Sequence, residues 1–118
     1  MIGVNDLIKR VPPDTVAPII EKIIMEIQTN SRTTIYLQSV LPANRDFSLE
    51  VQDQGGIKGL NKLLMKIAKD QNITYIDLYS HFKCDYCEGI NLDYSNDGLH
   101  LLGEGYMLWK QIIMPYVN

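Results

Sequence analysis

Asp97 and His100 stand three residues apart, with Gly98 directly after the aspartate. On a turn of helix-like geometry, positions i and i+3 share a face. The carboxylate can then accept a hydrogen bond from the imidazole Nδ1. That bond fixes the tautomer, leaves Nε2 as a base and stabilises the imidazolium that forms. Gly98 permits the tight turn. Near the other end of the chain, Gly3-Val4-Asn5-Asp6 sets an asparagine amide after a glycine, and such an amide can donate to a developing oxyanion. Each residue also has a plainer structural reading: Asp97 as a helix cap, His100 as a surface or half-buried histidine, Asn5 as a turn asparagine bonded to its own backbone.

Chemistry shared between the two ends needs a scaffold that brings them together. From Asp14, read as an N-cap, apolar residues fall at Val16, Ile19, Ile20, Ile23, Ile24 and Ile27, the spacing of a helix with one buried face. Pro18 falls in its first turn, where a missing N–H costs least, and Asn30-Ser31 end it. Thr33 to Val40 is β-branched and aromatic, hence a strand, stopped by Pro42. Ala43 to Gly56 is a long polar loop, of a kind that is often functional in compact domains. Ile57, Leu60, Leu63, Leu64, Ile67 and Ala68 mark a second amphipathic helix, and Ile73 to Leu78 a short strand. Tyr79 to Asn96 is irregular. Gly103 to Val117 is a last helix with Tyr106, Trp109, Ile112, Ile113 and Tyr116 on its apolar face. Met1 and Ile2 read as the end of one further strand, and Gly3 to Pro13 as a loop.

Strands alternating with helices imply right-handed crossovers and a parallel sheet covered on both faces. Ligands bind such sheets at the carboxyl ends of the strands. Gly3 to Asp6, Ser39 to Arg45 and the loop running to Asp97 and His100 all leave the sheet there, so the residues with chemical capability converge. Residues 1–118 read as a single, partial α/β domain, with one or more N-terminal strands missing. The free edge is an open hydrogen-bonding surface, so the expectation is either a longer natural chain or self-association through that edge.

The bulk numbers narrow the function classes. A chain of 118 residues that is 46% apolar and 21% charged suits one small globular unit with a modest core. The net charge is −3 and the eleven Lys and Arg are scattered, which gives no basic stripe for nucleic acid and no basic amphipathic face for a membrane surface. No apolar run approaches the ~20 residues of a bilayer span, and the first six residues have no signal-peptide character. Compartment stays open. Cys84 and Cys87 lie in a polar, irregular stretch rather than at a helix N-terminus, so two loop thiols or a local disulfide are preferred to thioredoxin-like chemistry. A zinc site would need two more ligands, with His81 and His100 the candidates.

Taken together, the motifs resemble the SGNH hydrolase superfamily, the GDSL-like esterases and acylhydrolases. Gly3-Val4-Asn5-Asp6 resembles the third block of that family, and Asp97-Gly98-Leu99-His100 its fifth. Tyr75-Ile76-Asp77-Leu78 resembles the last strand before that block, Ser39-Val40-Leu41-Pro42 the central strand end, and His100 through Tyr116 the C-terminal helix. The resemblance implies a three-layer α/β/α, flavodoxin-like fold and hydrolysis of small-molecule esters such as acylated sugars or lipids. It also implies that His100 is the general base, Asp97 its orienting partner and Asn5 an oxyanion-hole donor, with Gly3 shaping that loop. No metal or organic cofactor is implied, because serine ester hydrolysis needs none.

One departure matters. The family's nucleophile lies in an N-terminal Gly-Asp-Ser block, and none of Ser31, Ser39, Ser48, Ser80 and Ser95 has that context. The chain alone is therefore expected to be weakly active or inactive. The alternative is a non-catalytic SGNH-like module that binds a ligand or oligomerises. A receiver or flavin-binding reading is weaker, since Asp77 lies inside a strand and no phosphate-binding loop is visible.

Overall fold

The computed structural model describes residues 2–44, 56–87 and 89–117. The elements run α1 (Val4–Ile8), α2 (Pro13–Asn30), β1 (Tyr36–Gln38), α3 (Gly56–Asp70), β2 (Thr74–Ile76), α4 (Tyr79–Phe82) and α5 (Gly103–Val117). β1 and β2 pair in parallel, with Tyr36 opposite Thr74, Leu37 opposite Tyr75 and Gln38 opposite Ile76. Among the described residues these two strands make the sheet, and α3 is the crossover between them.

Period-two alternation along β1 and β2 divides the core. Leu37 points to one face, where it packs with Leu7 of α1, Val16, Ala17, Ile20 and Ile24 of α2, and Ile57, Leu60, Leu64, Ile67 and Ala68 of α3. Tyr36 and Ile76 point to the other. There they meet Leu78, Phe82 and Ile90, with Leu108, Trp109, Ile112 and Ile113 of α5 laid over them. Helices thus cover both faces of a parallel sheet, the α/β/α layering expected from the sequence.

Several local expectations need correction. The segment Gly3 to Pro13 is not all loop: Val4–Ile8 is helical. Its single turn is too short to carry a periodicity signal. It ends at Arg10, which has φ 64°. The Arg10 N–H donates to the Leu7 carbonyl and the Val11 N–H to the Asp6 carbonyl, a Schellman closure. α2 begins at Pro13 rather than after Asp14, with Pro12 at the cap position. Proline suits that first position because its N–H would have no helical partner, and Asp14 instead places its charge in the first turn. Pro18 then lies deeper than the first turn and cannot donate to the carbonyl of Asp14. The buried stripe of α2 is also narrower than its pattern: Ile20 and Ile24 are buried, while Ile19, Ile23 and Ile27 are exposed.

The strands are shorter than Thr33 to Val40 and Ile73 to Leu78, because each is paired only where it has a neighbour. Ile2 is exposed and outside any strand; Met1, and most of the polar loop Ala43 to Gly56, lie outside the described residues. The stretch from Tyr79 to Asn96 holds α4 and an antiparallel bridge between Lys83 and Ile90. Within that bridge Cys84 and Cys87 form a disulfide. α5 has the expected bounds, yet Tyr106 and Tyr116 of its apolar face are exposed.

Candidate active site

The turn before α5 is built around one carboxylate. Oδ1 of Asp97 accepts the backbone N–H of Leu99 at 2.8 Å and of His100 at 2.7 Å. Its Oδ2 lies 2.6 Å from Nδ1 of His100. These bonds, that from the His100 backbone foremost, hold the Asp97 carboxyl well below the usual carboxylate range. The group therefore stays an acceptor through the pH range in which an imidazole titrates. Gly98 has φ +81°, and a Cβ there would come within 2.5 Å of the Asn44 side chain, so the turn requires glycine on both counts. With Nδ1 engaged, Nε2 is the ring nitrogen left for a substrate, and the His100 side chain is 79% exposed.

Asn5 lies in α1 and is exposed. Gly3, just before that helix, has φ +108° and is buried; a Cβ would stand 2.9 Å from Cδ2 of Leu60. Gly3 therefore lets α1 seat against α3, and so fixes where Asn5 emerges.

A cleft of about 280 Å³ brings the two ends of the chain together. Asn5 and His100 both line it. Its apolar walls include Leu41 and Pro42 from the loop after β1 and Trp109 from α5. The Trp109 ring is fixed by donating Nε1–H to Oε1 of Gln38 at 2.9 Å and by stacking near Tyr106, with centroids 6.2 Å apart. Asp97 sits behind His100, and Gly3 behind Asn5. An imidazole, a side-chain amide and an apolar wall thus share one cleft at the carboxyl end of the parallel strands, an arrangement able to exchange a proton and to donate a hydrogen bond to an oxygen held between them.

Residues 1–108 match the model of the GDSL-like lipase/acylhydrolase family. The chain belongs to that family. No curated protein sequence matches it, but solved structures do. A protein from Streptococcus pneumonia, provisionally described as a platelet activating factor, superposes with a TM-score of 0.83 and 23% identity, over 100% of this chain and 57% of its own. At that identity the likeness is one of fold. A GDSL-like lipase from Bacteroides thetaiotaomicron VPI-5482 is similar with a TM-score of 0.75 and 27% identity, over 87% of this chain and 51% of its own. A protein from Bacteroides fragilis NCTC 9343, provisionally described as an acylhydrolase, gives 0.77 and 26%, over 90% and 51%. This GDSL-like chain therefore spans little more than half the length of the solved structures it matches.

The described serines of this GDSL-like chain make their bonds away from the cleft. Ser39 is fully buried, and its Oγ accepts the N–H groups of Leu78 and Tyr79 at 2.9 and 2.8 Å, tying the two strand ends together. Ser31 bonds the carbonyl of Ile27, Ser80 bonds Asp77, and Ser95 bonds Asp97. None of these four lines the cleft; Ser48 lies outside the described residues. Sequence reasoning missed Ser95 and Asn44 as supports of the Asp97 turn. For Ser95 the signal was present, since a serine two before an Asp-Gly is a pattern of side-chain-to-backbone turns. For Asn44 there was none, because its partners are remote in sequence.

Proposed function

We propose that this sequence carries the base and oxyanion part of a serine-type ester hydrolase acting on small acyl esters, of a sugar or a lipid. The observation that supports it is the shared cleft of Asn5 and His100, with Asp97 bonded to the far nitrogen of the imidazole. In this reading His100 Nε2 takes the proton of an attacking hydroxyl and returns it to the leaving alkoxide. Asp97 holds the tautomer and stabilises the imidazolium. The Asn5 amide donates to the tetrahedral oxyanion, and Gly3 shapes its approach. Residues 1–118 act as one partial unit of the SGNH fold. None of the four described serines lines the cleft and Ser48 has no Gly-Asp-Ser context, so in this reading the chain alone turns over esters weakly or not at all.

A fluorophosphonate tests this directly, because it modifies a serine only where a base and an oxyanion hole activate it. The intact mass of the folded chain is expected to stay unchanged. A stoichiometric adduct that disappears in His100→Ala would identify a working nucleophile within the chain and overturn the statement that it is inactive alone.

The same serine placement also supports a second reading, a non-catalytic module that associates with its own copies. The exposed Ile19, Ile23 and Ile27 stripe on α2 gives it an apolar surface. Light scattering of the purified chain should then give a mass above that of one protomer, and a strictly monomeric, folded species counts against it.

A further inference from the structure

The Asp97–His100 pair is unusually open for a group that must keep one geometry. The side chains are 45% and 79% exposed, so water competes for both partners and the imidazole has room to turn. The restraint must come from the side of the pair that faces the protein. One side chain there is fully buried: Ser95.

Its hydroxyl is committed on two sides. The Gly98 N–H donates to Ser95 Oγ at 3.0 Å, so the oxygen must accept in that direction. The single hydroxyl proton is then directed to Asp97 Oδ1, 3.2 Å away. Oδ1 thereby collects three donors, from Ser95, Leu99 and His100, and Oδ2 is left to the imidazole. A carboxylate has about four lone-pair sites. Filling those of one oxygen sets the tilt of the group and hence the direction in which the other oxygen meets Nδ1. Because Ser95 is buried, bulk water does not replace its hydroxyl if it is lost. Asn44 seats the same turn from outside, its N–H donating to the Gly98 carbonyl at 2.7 Å and its Nδ2 to the Asp97 carbonyl at 3.3 Å. Ser95 reaches both the turn's backbone and the Asp97 carboxylate.

We propose that Ser95 is a positioning residue, whose buried hydroxyl orients the Asp97 carboxylate and through it holds His100 in the Nδ1–H tautomer. This rests on the reading of Asp97 and His100 as base and orienting partner. A serine that only supported the fold would affect stability; one that positions the pair also governs the proton on the ring.

The test needs no turnover. In the ¹⁵N-labelled chain at a pH where the imidazole is neutral, the two ring nitrogens of His100 report the tautomer ratio, with His81→Gln assigning the other histidine. The native chain is expected to show the Nδ1–H form. Ser95→Ala should move the ratio toward Nε2–H by roughly twofold to tenfold, the weight of one lost hydrogen bond. Ser95→Thr keeps the hydroxyl and should restore the native ratio. Ser95→Cys, close in size with a weaker donor, should move it part of the way. A folded Ser95→Ala or Ser95→Cys chain with the native ratio overturns the proposal. Asp97→Asn separates the two readings. If it shifts the ratio and Ser95→Ala does not, only the role of Ser95 fails; if Asp97→Asn leaves the ratio unchanged, the pairing of Asp97 with His100 fails as well.

Discussion

His100→Ala, made in a polypeptide that joins this sequence to a Gly-Asp-Ser segment, is expected to cut ester turnover by roughly 10⁴- to 10⁶-fold, the loss seen when one member of a cooperating triad is removed. The size follows from the role. In the proposed role, losing Nε2 removes the base that takes the hydroxyl proton and the acid that protonates the leaving oxygen, whereas binding and oxyanion stabilisation would survive. Stability should barely change, because the side chain is 79% exposed and exposed substitutions have small effects. Turnover and denaturation midpoint measured on the same preparation separate the two effects. A variant that keeps native turnover would remove His100 from the mechanism, and one that fails to fold would contradict the exposed placement of the ring.

Asn61→Ala should have the larger effect on the fold, lowering stability by about 2–6 kcal/mol. Asn61 is a buried side chain of α3 that pairs with both backbone groups of Val40. Its Oδ1 accepts the Val40 N–H at 2.7 Å, and its Nδ2 donates to the Val40 carbonyl at 2.9 Å. In effect the amide takes the place of a neighbouring strand just past the end of β1. Alanine leaves two buried backbone groups without partners, and each such group costs about 1–3 kcal/mol. Urea unfolding reads this as a fall in midpoint at constant slope; a loss below about 1 kcal/mol would mean that water or a neighbour replaces both bonds. The consequence reaches the cleft, because Val40 leads directly into Leu41 and Pro42, two of its wall residues.

The corrected elements show where sequence patterns lose their force. α3 keeps its predicted stripe because two layers, α2 and the sheet, lie against it. α2 carries a weaker amphipathic pattern, and burial follows Val16, Ile20 and Ile24 and leaves Ile19, Ile23 and Ile27 in solvent. Periodicity reports that a helix has an apolar face, not how much of that face finds a partner. The helix start at Pro13 shows a different limit. Asp14 suits a cap and Pro13 a first helical position, and the second preference wins: the cap falls at Pro12, two residues before Asp14. The end of α3 has a clearer cause: Asn72 adopts φ 53°, a conformation asparagine tolerates, and the following N–H closes the helix.

By itself the sequence determined the alternation of helices and strands, the parallel α/β layering, and the pairing of Asp97 with His100. All of these are set by residues close together along the chain, through 3.6- and 2-residue periodicity and a three-residue turn. The sequence also led to the expectation that Asn5 and His100 converge; only the tertiary structure decided the walls of the cleft they share, that Gly3 is needed where α1 meets Leu60, and that Ser39 is locked between strand ends rather than offered to a substrate. It also decided the supports of the site, Ser95 from within the turn and Asn44 from across it. The reason is physical: a single polar side chain has no period, and its role is fixed by which loop the packed sheet and helices bring within hydrogen-bonding distance of it.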